Sequence, residues 1–213
     1  MLTVIGGRRH SGDDAGFTLI ELTISIGILG LIMVAVTGVF AVAVRTNAGT
    51  DTRLTESLDL QFAASYFADD VAGAQSFRTG SAPGCGTDPA AIEVVELRGQ
   101  TFDGFTPPVM QTTITTYVLR SVTVNGVATG QLHRLTCSAP SSPAPSLPLT
   151  PDRDVTVTRH LSSTMPGVNC QDATGAAASC SAAGVGAAVS VSVLLTSRSG
   201  DLTGTLAGRR RTS

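Results

Sequence analysis

The sequence predicts an α+β fold, one long N-terminal α-helix followed by an antiparallel β-sheet, and three observations lead there. Residues 22–44 form an apolar run with no charge, Pro or Asn. Residues 45–78 carry apolar side chains at helical spacing. From residue 79 onward the chain turns to short segments rich in Val, Ile, Thr and Leu, broken by Gly and Pro clusters.

As a helix, residues 22–44 extend about 35 Å, enough to cross a bilayer core with some tilt. Arg8 and Arg9 precede the run, and Asp13 and Asp14 count little in the positive-inside rule. The expected orientation leaves the N-terminus in the cytoplasm and everything after Arg45 outside, in a single-pass membrane protein.

Glu21 breaks the pattern of a plain anchor, because it sits among Phe17-Thr18-Leu19-Ile20 and Leu22. An ionised side chain at that depth costs on the order of a few kcal/mol unless paired, which makes it a functional residue in search of a partner. The apolar segment holds no basic side chain. Cleavage after Gly16 would create one, since the new α-amino group of Phe17 is a cation at the same depth. The amine of one subunit then meets Glu21 of its neighbour.

Gly16-Phe17-Thr18-Leu19-Ile20-Glu21-Leu22, followed by an uninterrupted apolar helix, resembles the prepilin-type cleavage and methylation motif of type IV pilins and type II secretion pseudopilins. The resemblance implies that a prepilin peptidase cuts after Gly16 and methylates the Phe17 amine. It also implies that Glu21 guides assembly by pairing with that amine on an adjacent subunit. Other pilins or pseudopilins, the cytoplasmic membrane and a pilus assembly platform are then the partners, and no cofactor is called for. Where many major pilins carry a proline in this helix, the chain has Gly38 and none. The motif covers about the first 45 residues. Two other export signals compete with it. Ala41-Val42-Ala43 suits an ordinary signal peptidase, although the apolar stretch before it exceeds the usual ~7–15 residues and holds Glu21. Arg8-Arg9 suits a twin-arginine signal, but polar Ser11-Gly12-Asp13-Asp14 follows.

Beyond Arg45, Leu60, Ala63, Ala64, Phe67, Val71 and Ala74 fall within about 100° on a helical wheel. Leu54, Leu58, Phe62 and Tyr66 form a second stripe at i, i+4 spacing. One stripe suits the subunit's own sheet and the other suits neighbouring helices, or both serve one core. The helix is expected to pass Gly73 and run to about Phe77, ending at Gly80-Ser81-Ala82-Pro83-Gly84. Strands are expected at residues 91–98, 112–124, 131–137, 154–161 and 189–198, with a hairpin at Asn125-Gly126. The proline-rich stretch 138–151 and the Gly/Ala/Ser stretch 175–188 read as loops. The expected organisation is a leader at 1–16, a membrane helix and filament core at 17–44, an amphipathic continuation at 45–78, an exported head at 79–208 and a basic tail at 209–213.

Aromatic residues make up only 4% and Trp is absent, so the head's core must come mainly from Val, Leu, Ile and Ala. Cys85, Cys137, Cys170 and Cys180 all follow the apolar run, an even count that suits disulfides in an oxidising compartment. Of the three possible pairings, Cys85 with Cys137 and Cys170 with Cys180 is favoured, because the second pair closes a short Gly/Ala-rich loop.

A net charge of -2 argues against a general grip on nucleic acid. His10 lies in the leader, while His133 and His160 lie in expected strands without an evident partner. No zinc spacing or phosphate-binding loop occurs, and Asp152 and Asp154 lack the other ligands of a calcium loop. Asp69-Asp70 reads as a solvated face and Arg209-Arg210-Arg211 as a solvated tail. The reading is therefore a non-catalytic minor pilin or pseudopilin. Its size, the Tyr66-Phe67-Ala68-Asp69-Asp70-Val71 segment and the Arg-rich end most resemble J-type minor pseudopilins. The alternative is a membrane-tethered or secreted extracellular binding module with a pilin-like export signal.

Overall fold

The computed structural model describes residues 18–80, 83–102, 104, 108–181 and 188–211. The chain divides into two compact units, residues 1–51 and 52–213. A single helix, α1 (Leu19–Gly73), supplies the regular structure of the first unit and the opening segment of the second. In the first unit the apolar side chains of α1 are exposed along the whole run, with none buried in a protein core.

Residues 52–213 form an α+β arrangement. Five strands make one antiparallel sheet in sequential order: β1 (Ser76–Arg78), β2 (Ile92–Phe102), β3 (Met110–Val124), β4 (Val127–Pro140) and β5 (Arg153–Leu161). Four more make a second antiparallel sheet: β6 (Gly167–Gln171), β7 (Ala177–Ala178), β8 (Ser190–Thr196) and β9 (Thr203–Arg209), in the order β7-β6-β8-β9. The sheets meet where Leu161 bridges Ser197, with Ser162 N–H donating to the Thr196 carbonyl at 2.9 Å. Asn125 (φ 53°) and Gly126 (φ 76°) form the two-residue turn between β3 and β4, the left-handed pair that matches strand twist.

One face of the helix is the centre of the core. Ala63, Phe67 and Val71 are fully buried and share a cluster with Val95, Tyr117 and Leu132 of the first sheet and Val191, Val193 and Leu206 of the second. Phe67 meets Tyr117 edge to face, ring centroids 5.2 Å apart. The far face of the five-stranded sheet carries a smaller cluster of Ile114, Val118, Leu135, Cys85 and Cys137. It is roofed by a flap made of residues 83–91 and 147–152. Cys85 bridges Leu149 in parallel, and Ala91 and Leu149 pack on the cluster. This is why β3 is buried on both faces: Tyr117 and Leu119 point to the helix, Ile114 and Val118 to the flap.

Several sequence expectations are corrected. The helix stops at Gly73 rather than near Phe77, and Ser76–Arg78 becomes β1, which buries Phe77. The cause is close approach: a Cβ on Gly99 of β2 would lie 2.9 Å from the Gly73 carbonyl, so sheet and helix end touch backbone to backbone. There are two sheets where one was expected. The stretch 175–188 contains β7, and Ser138 to Pro140 extend β4 into the proline-rich stretch. The basic end is no free tail. Arg209 closes β9, Arg210 Nη1 donates to the Gln75 carbonyl at 2.8 Å, and Arg211 N–H donates to the Ala72 carbonyl at 3.4 Å. Since the last turn of α1 has no basic residue of its own, Arg210 supplies a cation near its negative end.

The cysteines are joined as Cys85–Cys137 and Cys170–Cys180, separated by 52 and 10 residues. Chain-entropy reasoning gives about 4 kcal/mol for the longer loop and about 3 kcal/mol for the shorter. Replacing Cys85 and Cys137 together by Ser is therefore expected to lower the unfolding free energy by up to about 4 kcal/mol in denaturant titration. The Cys170 and Cys180 pair of substitutions should cost less.

Candidate functional site

The first turn of α1 is organised by Thr18. Its carbonyl accepts from the N–H groups of Glu21 (3.0 Å) and Leu22 (3.2 Å), and its Oγ1 accepts from Glu21 N–H at 3.3 Å. Thr18 is thus the N-cap and Glu21 the third helical residue, the Thr-x-x-Glu spacing of a capping box. Sequence reasoning read Glu21 as an assembly residue and not as part of a helix cap. The signal that could have located the helix start was that spacing just before an apolar run. The carboxylate also lies at the positive end of the helix dipole, which favours an anion there. Glu21 is exposed, and among the described residues its carboxylate has no ion-pair partner. Gly16 and Phe17 lie outside the described residues.

Behind this turn, Leu19–Thr46 is long and apolar enough to cross a membrane, 28 residues with a mean hydropathy of 2.6. Its threonines do not leave hydroxyls unpaired. Thr23, Thr37 and Thr46 donate to the carbonyls of Ile20, Met33 and Val42 at 2.7 to 3.0 Å. Lipid offers no hydrogen bonds, so this internal pairing is what lets those residues sit in an anchor.

In the second unit the two helical stripes separate. Leu60 and Ala64 are half-buried and Ala63, Phe67 and Val71 are buried, whereas Leu54, Leu58, Phe62 and Tyr66 are 57%, 44%, 63% and 47% exposed. The second stripe is therefore left open on the surface of this unit.

The helix is fixed to the first sheet by charge as well as packing. Arg134 of β4 grips Asp70 through Nε and Nη2, both at 2.6 Å, and Tyr117 donates its hydroxyl to the same carboxylate at 2.7 Å. Arg134 also donates to Thr136 Oγ1 and lies 5.7 Å from the Tyr66 ring centroid. Asp70 is nearly buried, with 11% of its side chain exposed, which corrects the reading of Asp69-Asp70 as one solvated face; only Asp69 is exposed. Burial above all, then the charge and hydrogen bond of Asp70, push the Tyr117 phenol far up, and Arg134 opposes them. The hydrogen bond to Asp70 leads in raising Arg134 above its ordinary value. The phenol is neutral and the guanidinium charged at any physiological pH.

One of the strand histidines, His133, is hydrogen-bonded after all. His133 Nδ1 lies 2.7 Å from Asp154 and 3.0 Å from Arg120, and Arg120 also pairs with Asp88 of the flap. Burial works against the Asp154 charge, yet hydrogen bonds from Arg120 and His133 hold its carboxyl below the usual range. His160 Nδ1 lies 3.5 Å from Asp59. The contacts of His133 tie β4 to β5 and, through Arg120, to the flap.

Residues 12–37 match the family model for the prokaryotic N-terminal methylation motif. No curated protein matches the chain, and no solved structure does. With a long apolar helix leading into antiparallel sheets, the match marks the chain as prepilin-like, with an N-terminal helix suited to single-pass anchoring.

Arg134→Met leaves the Asp70 carboxylate in a nearly buried place without its counter-charge. It is expected to destabilise the head by about 3–5 kcal/mol in equilibrium unfolding. Asp70→Leu with Arg134→Met should cost clearly less than the sum of the single changes, the signature of a coupled pair.

Proposed function

We propose that this chain is a structural subunit of a type IV pilin-like filament, made as a precursor and cut between Gly16 and Phe17 by a prepilin peptidase. The peptidase methylates the Phe17 amine, and Glu21 pairs with that amine on an adjacent subunit during assembly. One observation carries the reading: an exposed carboxylate, held in the first turn of a helix by the Thr18 cap, heads a 28-residue apolar span. A charge so situated is costly in lipid and needs a cation at equal depth. The methylation motif matched at residues 12–37 supplies the chemistry that would make one.

In this reading the N-terminus starts in the cytoplasm and the head is exported, which agrees with Arg8 and Arg9 before the span and the two disulfides beyond it. The partners are other pilins or pseudopilins, the peptidase and the membrane assembly platform. The finer assignment is a minor subunit, of the J-type pseudopilin kind, that primes or tips the filament. The exposed stripe Leu54, Leu58, Phe62 and Tyr66 packs on the helices of neighbouring subunits.

Mass analysis of the mature N-terminus, from cells containing the peptidase, is expected to return N-methyl-Phe17. A mature chain that begins at Val44 or keeps residues 1–16 would sink the proposal. Glu21→Ala should leave cleavage largely intact and reduce the fraction of subunit recovered in filaments; normal incorporation would refute the pairing. Leu58→Asp, on an exposed position, should change head stability by no more than about 0.5 kcal/mol while impairing incorporation.

A further inference from the structure

Glu93 sits in β2 opposite Val118 of β3, and Val118 in turn lies opposite His133 of β4. Partners across an antiparallel ladder share a face, so Glu93 faces the flap together with Val118 and the small cluster beneath Cys85, Ala91 and Leu149. Glu93 is 6% exposed, and both its carboxyl oxygens are buried without a hydrogen-bond partner. The neighbouring acids on this face, Glu96 and Asp88, are both paired. Glu96, fully buried, accepts from Arg78 Nη2 at 2.8 Å, Arg98 Nε at 2.6 Å and the Gly84 N–H of the flap. Asp88 of the flap pairs with Arg120, which also pairs with Asp154, the partner of His133. A buried acid with no hydrogen bond tolerates the neutral form and penalises the ionised one.

We propose that Glu93 is a proton-operated latch for the flap over the far face of the five-stranded sheet. Neutral, it lets residues 83–91 and 147–152 lie closed on Ile114, Val118 and Leu135; ionised, it drives the flap to open and admit water, with Cys85–Cys137 as the tether that remains.

Burial first, and then the negative charge of Glu96, push the Glu93 carboxyl up to about 7, against the pull of Arg78 and Arg98. The ordinary value, regained on exposure, is 4.5. The closed flap therefore holds a proton that the open flap releases. Its stabilisation is complete below the exposed group's value, falls as pH rises toward about 7, and stays low above that. The flap is thus shut in acid and loosened at and above neutrality, the reverse of a carboxylate held by a salt bridge.

The test is hydrogen exchange by mass spectrometry on the mature chain in detergent micelles, corrected for the intrinsic pH dependence of exchange. It is read over residues 83–91 and 147–152, for wild type and Glu93→Gln. The wild-type opening constant is expected to rise roughly 25-fold between about pH 5.5 and about pH 8. Glu93→Gln should remain closed across the range. The other ionisable groups on this face are common to both proteins and cancel in the comparison. Equal pH slopes in the two proteins overturn the latch. If Glu93→Gln does not fold, the carboxyl carbon-13 shift of Glu93 in wild type decides: an ionised group at about pH 5.5 overturns the proposal, and a neutral one that ionises near neutrality upholds it.

Discussion

Residues 60–74 of the helix must serve two sheets at once, and the rest of the head follows from that. With few aromatic side chains available, the core is assembled by close approach rather than by bulk. A Cβ on Gly204 would come within 2.8 Å of Leu60, and one on Gly208 within 2.5 Å of Val71, so β9 approaches the helix most closely at these two glycines, with Leu206 between them buried in the shared core. On the other side Phe67 and Tyr117 supply a large edge-to-face aromatic contact. Apolar packing tolerates sliding along a helix, but the fork of Arg134 on Asp70, with the Tyr117 hydroxyl on the same carboxylate, does not. The polar clamp sets the register that the small residues allow.

One helix thus answers to two solvents. In Leu19–Thr46 the requirement is that nothing polar goes unpaired, and the threonine hydroxyls meet it by turning back onto their own backbone. From residue 60 onward the requirement is a face that water never reaches, met by Ala63, Phe67 and Val71. Glu21 belongs to the first regime and breaks its rule, an exposed carboxylate at the head of an apolar span.

Much of this was legible in the sequence because the signals were local. The apolar run, the odd carboxylate, the stripe containing Phe67 and Val71, and the Asn125-Gly126 turn each need only a few neighbouring residues to be read. The features that were missed depend on distant partners. β9 reads as Thr-Gly-Thr-Leu-Ala-Gly-Arg, poor strand material by propensity, and its glycines make sense only once Leu60 and Val71 lie over them. Asp70 and Asp69 are neighbours in sequence, yet one meets Arg134, 64 residues away, and the other is exposed. His133 finds Asp154 only through the pairing of β4 with β5, and the helix ends at Gly73 because β2 arrives there. The capping box at Thr18 is the exception, a local signal that went unread.

The lateness of β9 in the chain has a kinetic side. Residues 60–71 are synthesised before residues 203–209, yet the glycines of the latter complete the cover over Leu60 and Val71. The five-stranded sheet can form first, from sequential hairpins with short reach, while the opposite flank of the helix stays greasy and open. During that interval the segment is a ready target for a chaperone or for another unfinished copy. The order in which the polypeptide emerges therefore decides when this flank of the helix is safe from such capture.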